Sequence, residues 1–219
     1  MTNTIIFDLD GTIADTIDAL KSGMNMTMRR LGYPEKTREE IRGAINYGAR
    51  RFVQNCLPAE VQNDEKKLDE AFAVYEECYA KTFRETDRLY DGMGEVMSEL
   101  ARRGYTVAVF SNKQDFFVTE LVKQLVPDGV CAIARGQRPN TPAKPDRGVS
   151  LALCGELGTA PEHCALVGDS HIDMRTAKNA GFLAVGVSWG YRPEVLREEG
   201  ANHIVNRPEE LLDLFPPLS

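Results

Sequence analysis

Two carboxylates stand two residues apart in Asp8-Leu9-Asp10-Gly11-Thr12, directly after the apolar run Thr4–Phe7 and with Asp15 close behind. In an extended segment residues i and i+2 point to the same side, so both acids face one place at the end of a buried strand. That placement is costly unless a cation or a proton shares the site. Asp-Gly is also an ordinary turn dipeptide, and the pair alone supports either reading. A second acidic pair follows the apolar run Cys164–Val167: Asp169 in Val167-Gly168-Asp169-Ser170, then Asp173 one helical turn later. The helix dipole stabilises an acid in the first turn, which accounts for one Asp but not for a pair. Hard oxygen ligands from two strand ends suit Mg²⁺, which takes few carboxylates and keeps waters.

Positive charge and donors come from two further places. Phe110-Ser111-Asn112 ends the run YTVAVF and is predicted to open a helix, where a hydroxyl and backbone N–H groups form an anion cradle. A lone Ser in that position is equally an N-cap. Lys144, in Ala143-Lys144-Pro145-Asp146, precedes a helical segment, where a lysine is commonly a solvated surface charge. Taken together, all four elements follow or adjoin strand ends, and in a parallel sheet those ends share the edge where ligands bind.

The elements that must position these residues are legible as alternation. Thr4–Phe7, Tyr105–Phe110, Val130–Ala134, Cys164–Val167 and Phe182–Val187 are short apolar runs followed by polar or Gly residues, as in buried parallel strands. Between them, Met93, Val96, Met97 and Leu100 form one helical face, and Phe117, Leu121, Val122 and Leu125 another. This predicts an α/β fold with a doubly wound parallel sheet. Residues 16–87 break the alternation. Ile17, Leu20, Met24 and Leu31, and then Leu68, Phe72, Tyr75, Tyr79 and Phe83, have helical spacing, with no strand-like run between them. An inserted α-helical domain is expected there, with residues 1–15 and 88–219 forming the α/β core and hinges at Gly11–Asp18 and Arg88–Gly92. Met24, Met26 and Met28 read as core filler and surface.

With 26 Lys plus Arg against 33 Asp plus Glu, the net charge of −7 argues against a phosphate-backbone binder, so no nucleic-acid partner is expected. The five cysteines form no CxxC, and with three scattered histidines they offer no zinc spacing. No apolar run approaches the roughly 18 residues of a membrane span, and MTNTIIFDLDG does not read as a secretory leader. The expectation is a reduced cytoplasmic protein with buried thiols and no membrane partner.

The motifs FDLDGTIADT, FSNK, Lys144-Pro145 and GDSHID, in this order, resemble the four signatures of the haloacid dehalogenase superfamily of aspartate-nucleophile phosphatases, and most closely its phosphoglycolate phosphatase-like branch. The similarity runs through AKNAGFLAVGVSWG and covers essentially the whole chain, the inserted helices taking the place of the family's cap domain. The resemblance implies a Mg²⁺-dependent hydrolase of a small phosphorylated metabolite. Asp8 is then the nucleophile and Asp10 the general acid/base. Asp8, the Asp10 carbonyl and Asp169 hold Mg²⁺ with support from Asp173. Gly11, Thr12, Ser111, Asn112 and Lys144 bind the phosphoryl group. A second carboxylate at Asp10 favours phosphate esters over halides, because halide leaves without a proton. Two departures bear on substrate. The cap loop, usually Gly-x-Gly, reads Asn46-Tyr47-Gly48-Ala49-Arg50-Arg51, and Arg147 stands where a Pro is frequent. Tyr47 and either Arg50 or Arg51 are candidates for gripping a substrate anion; a solvated helix start is the plain alternative. An inorganic pyrophosphatase or a sugar phosphomutase of the same superfamily are alternatives, as is a phospho-aspartate signalling module that holds a phosphoryl group without turnover. The length and the helical insertion speak against the last.

Overall fold

The computed structural model describes residues 1–45, 47–86 and 88–218. In chain order the elements are β1 (Thr4–Phe7), α1 (Ile17–Leu31), α2 (Arg38–Ala44), α3 (Ala49–Cys56), α4 (Glu65–Thr82), α5 (Met93–Arg102), β2 (Thr106–Gln114), α6 (Asp115–Leu125), β3 (Cys131–Gln137), α7 (Arg147–Leu157), β4 (Cys164–Gly168), α8 (His171–Ala180), β5 (Leu183–Val187), β6 (His203–Val205) and α9 (Glu210–Leu214). The chain divides into two compact units, one of residues 1–15 and 88–218 and one of residues 16–86.

The first unit is built on a six-stranded sheet of order β3-β2-β1-β4-β5-β6, parallel at every pairing. This is the doubly wound α/β architecture that the alternation predicts. Strand order reverses between β1 and β4, so their carboxyl ends flank the crevice where such sheets bind ligands. Ile6, Ala108, Phe110, Leu166 and Ala184 pack with Leu153 of α7 and Met174 and Ala177 of α8. The alternate residues Ile5, Phe7, Val107, Val109 and Val167 are buried as well. Strands covered on both faces must be apolar throughout, which is why these runs lack a period of two.

Two sequence expectations are corrected, and one strand is added. β2 does not stop at Phe110: it continues through Ser111-Asn112-Lys113 to Gln114, and α6 opens at Asp115. Pairing with β3 breaks register between Phe110 and Gln114, so polar side chains occupy an irregular strand end instead of a helix start. Ser111 is accordingly no N-cap. β6 was not anticipated, because three residues carry too little pattern.

In the second unit, α2 and α3 add two helices that the periodicity does not separate. At seven and eight residues they are too short for a periodic signal, though a capping box of Thr37 and Glu40 starts α2. The interior is apolar and aromatic. Met24 and Met28 are fully buried. Tyr75 and Tyr79 stack at 5.5 Å, with Phe52 edge-on to Tyr75 and Phe83 tilted against Tyr79. Among the described residues no helix is long and apolar enough to cross a membrane, and the five cysteines are free thiols.

Candidate active site

Asp8 follows β1 directly, and its backbone N–H donates to the Val167 carbonyl, extending the β1–β4 pairing by one residue. The carboxylate therefore starts from a fixed backbone at the switch point. Lys144 reaches it from the loop before α7, with Nζ 3.0 Å from Asp8 Oδ1. Nζ also donates to Asp173 Oδ1 at 2.7 Å and to the Phe110 carbonyl at 2.9 Å. Lys144 is 3% exposed, so it is no surface charge. Burial works against its ammonium form, yet Asp173 and Asp8 hold its pKa above the ordinary value. Asp173, fully buried, uses its second oxygen to accept from the Ser170 hydroxyl and backbone N–H. It thus closes a capping box and anchors Lys144 at once.

Asp169 follows β4 directly and lies next to Asp8. Its Oδ1 accepts from the Thr12 hydroxyl at 3.2 Å and its Oδ2 from the Tyr191 backbone N–H at 2.6 Å. Two glycines make this possible. Gly11 has a φ of +80°, and a Cβ there would lie 2.5 Å from Asp169 Oδ2. A Cβ on Gly190 would lie 2.2 Å from Asp169 Cβ. The Gly11 and Thr12 N–H groups donate to the Ala14 and Leu9 carbonyls; they close the turn after β1. The Tyr191 hydroxyl reaches Asp15 at 2.8 Å, and Trp189 Nε1 donates to the Thr12 carbonyl. The segment Trp189–Tyr191 therefore braces the Asp8–Asp15 turn. Trp189 and Gly190 end the stretch AKNAGFLAVGVSWG and Tyr191 lies just beyond it, none with a chemical type that would single it out.

Asp10 pairs with Lys113 Nζ at 2.8 Å. Lys113 was visible in FSNK without an assigned role. Ser111 is buried, and its hydroxyl accepts the Lys113 backbone N–H. The Asn112 side chain is committed to the Lys144 backbone: Oδ1 accepts the Lys144 N–H at 2.7 Å, and Nδ2 donates to its carbonyl at 3.0 Å. It places the lysine loop.

Asp8, Asp169 and Asp173 each offer a carboxylate oxygen within 4.8 Å of the others. Burial, then Asp173, push the Asp8 carboxyl up to about 7 against the pull of Lys144. Burial, with Asp173 and Asp8, likewise raises Asp169 well above its ordinary range. Acids crowded out of water in this way call for a cation. The all-oxygen donor set fits a hard divalent ion.

The second unit holds the other predicted residues. Arg50 is engaged there, with Nη2 2.6 Å from Glu65 and 2.9 Å from Asp69 of α4. Arg51 donates to Gln54 within α3, and Tyr47 is exposed. Asn46 lies outside the described residues.

Residues 5–187 match the family model described as haloacid dehalogenase-like hydrolase. Among curated proteins, phosphoglycolate phosphatase 1 of Pseudomonas aeruginosa is 29% identical over 214 residues, covering 95% of this chain and 78% of that protein. The phosphoglycolate phosphatase of Mannheimia succiniciproducens is 30% identical over 190 residues, covering 84% and 85%. A crystal structure from Lactobacillus delbrueckii subsp. bulgaricus superposes with a TM-score of 0.88 at 26% identity, covering 98% and 99%.

Proposed function

The chain belongs to the haloacid dehalogenase-like hydrolase family, and we propose that it is a Mg²⁺-dependent phosphatase of small phosphomonoesters that works through a phospho-aspartyl intermediate on Asp8. The observation that carries this reading is Lys144, buried between Asp8 and Asp173. A cation held against the nucleophile is the counter-charge that a transferring phosphoryl group needs.

Asp8 attacks phosphorus in line, forming the acyl phosphate as the ester P–O bond breaks, and the departing oxygen takes the proton of the Asp10 carboxylic acid. Water then attacks the same phosphorus and gives a proton to the Asp10 carboxylate, and Asp8 leaves as a free carboxylate. Lys144 offsets charge on the phosphoryl oxygens, and the Ser111 hydroxyl binds one of them. Thr12 and Asn112 act through the residues they hold, Asp169 and Lys144. Asp8 and Asp169, supported by Asp173 and the Asp10 carbonyl, would hold Mg²⁺, which when bound supplies positive charge between the anionic nucleophile and the anionic substrate.

The names of the Pseudomonas and Mannheimia relatives favour phosphoglycolate as the substrate. The test is phosphate release from a panel of phosphoglycolate, sugar phosphates, pyrophosphate and p-nitrophenyl phosphate, with Mg²⁺, with EDTA, and with Mg²⁺ restored. Multiple turnover on monoesters that EDTA abolishes and Mg²⁺ restores is expected. An isomerised sugar phosphate would indicate a mutase, preference for pyrophosphate a pyrophosphatase, and a single turnover a phosphoryl-holding module.

A further inference from the structure

Lys113 is a second buried lysine at the active edge, and the mechanism above does not use it. It is 8% exposed as a residue. Its ammonium sits 2.8 Å from Asp10 Oδ1, with the two side chains 5% and 13% exposed. Burying a lysine at a strand end is expensive unless a partner repays it. The backbone is shaped for the pairing: the register break between Phe110 and Gln114 lets Lys113 leave the regular ladder. The Lys113 N–H donates to the Ser111 hydroxyl, so one residue touches both Ser111 and Asp10.

We propose that Lys113 is a positioning residue that fixes the Asp10 carboxyl in the orientation used for proton transfer to the leaving group; this rests on reading Asp10 as the general acid. A carboxyl two bonds from its backbone has several rotamers, and a charge-assisted hydrogen bond from the Lys113 ammonium to Oδ1 selects one, leaving Oδ2 as the oxygen that carries the transferred proton. Proton transfer is sensitive to that choice, because donor and acceptor must meet at hydrogen-bond distance. Lys144 serves the phosphoryl group and Lys113 serves the acid.

The test uses kcat/KM, which covers steps through departure of the leaving group. Alkyl phosphates such as phosphoglycolate need a proton on the leaving oxygen, whereas p-nitrophenolate leaves without one. Lys113→Met should lower kcat/KM for phosphoglycolate by roughly 10- to 100-fold, with a loss for p-nitrophenyl phosphate smaller by about tenfold or more. Lys113→Arg should recover part of the alkyl activity, and it carries the test by the same substrate ratio if the Met variant does not fold. Asp10→Asn, measured beside them, separates two failures. If Asp10→Asn is leaving-group selective but the Lys113 variants lose both substrates equally or neither, the positioning role is overturned and the acid assignment stands. If Asp10→Asn itself shows no selectivity, the reading of Asp10 fails and takes the proposal with it.

Discussion

The carboxyl edge of the sheet and the helical unit treat charge in opposite ways. At the carboxyl edge of the sheet, Asp8, Asp169, Asp173, Lys113 and Lys144 are all buried. In the helical unit, ion pairs such as Arg29 with Glu35 and Arg30 with Glu77 stand in solvent, with side chains 45–63% exposed. What is buried there is apolar or aromatic, with a few Thr hydroxyls and Asn25, whose amide bonds the Lys36 backbone on both sides. A solvated ion pair costs little to form and contributes little. A desolvated cluster of three acids with one lysine between two of them is costly, and folding alone does not require it. The contrast supports the proposed reading of the sheet edge as the site, while the interior of the helical unit is packing.

The largest expected effect breaks the sheet edge directly. Asp8→Asn should lower turnover by at least ~10⁴-fold, as loss of a catalytic nucleophile does, measured as phosphate release by protein freed of contaminating phosphatase. Near wild-type activity would remove the phospho-aspartyl mechanism.

Next is Lys144. Its Ala variant should lose about 10²- to 10³-fold in kcat, the scale of one preorganised electrostatic stabiliser. A loss below about threefold would return Lys144 to a structural role despite its place between Asp8 and Asp173.

The third expectation sharpens the contrast by turning to stability. Because burial and Asp173 raise the Asp8 carboxyl to about 7, the folded chain keeps a proton there that the unfolded chain has already released. Metal-free wild-type stability should therefore fall as pH rises from the ordinary Asp range toward 7, and level off above. Asp8→Asn lacks that penalty. In EDTA near pH 7 it should be the more stable protein by ~1 kcal/mol or more, with the advantage shrinking toward pH 5. Thermal melts at both pH values check this, and a variant less stable throughout would mean that the pair with Lys144 outweighs the crowding.

The smallest effect belongs to the other region. Arg30→Ala removes an exposed pair with Glu77 and should change stability by under ~0.5 kcal/mol, read as a shift in urea midpoint. A larger loss would show that the surface charges of the helical unit carry stability after all.

Much of this was legible in the chain before folding. Short apolar runs ending in Asp8, Ser111 and Asp169 announce a parallel sheet with its chemistry on one edge, because strands buried on both faces leave only their ends for polar groups. The long helices α1 and α4 were legible from spacing; α2, α3 and β6 were not, since a helix of seven or eight residues or a strand of three is too short to show a period. Asn112 was offered as a phosphoryl ligand, not as the seat of the Lys144 backbone; Lys113 was visible only as a member of FSNK, and Tyr191 lies just beyond the recognised SWG.

The sequence by itself determined the order of the acids, hydroxyl and lysine along successive strand ends, since element type and side-chain direction follow from local residue pattern. Tertiary structure decided which of them meet. Lys144 spans to Asp8 and Asp173, Asn112 seats the Lys144 backbone, Lys113 takes Asp10, and Tyr191 takes Asp169. Arg50, which the sequence offered as a substrate clamp, is held by Glu65 and Asp69. The reason is one of range. Each pairing joins residues from different parts of the chain, some through a backbone group, and a long lysine or arginine reaches whichever acid the packed backbones bring within a few ångströms.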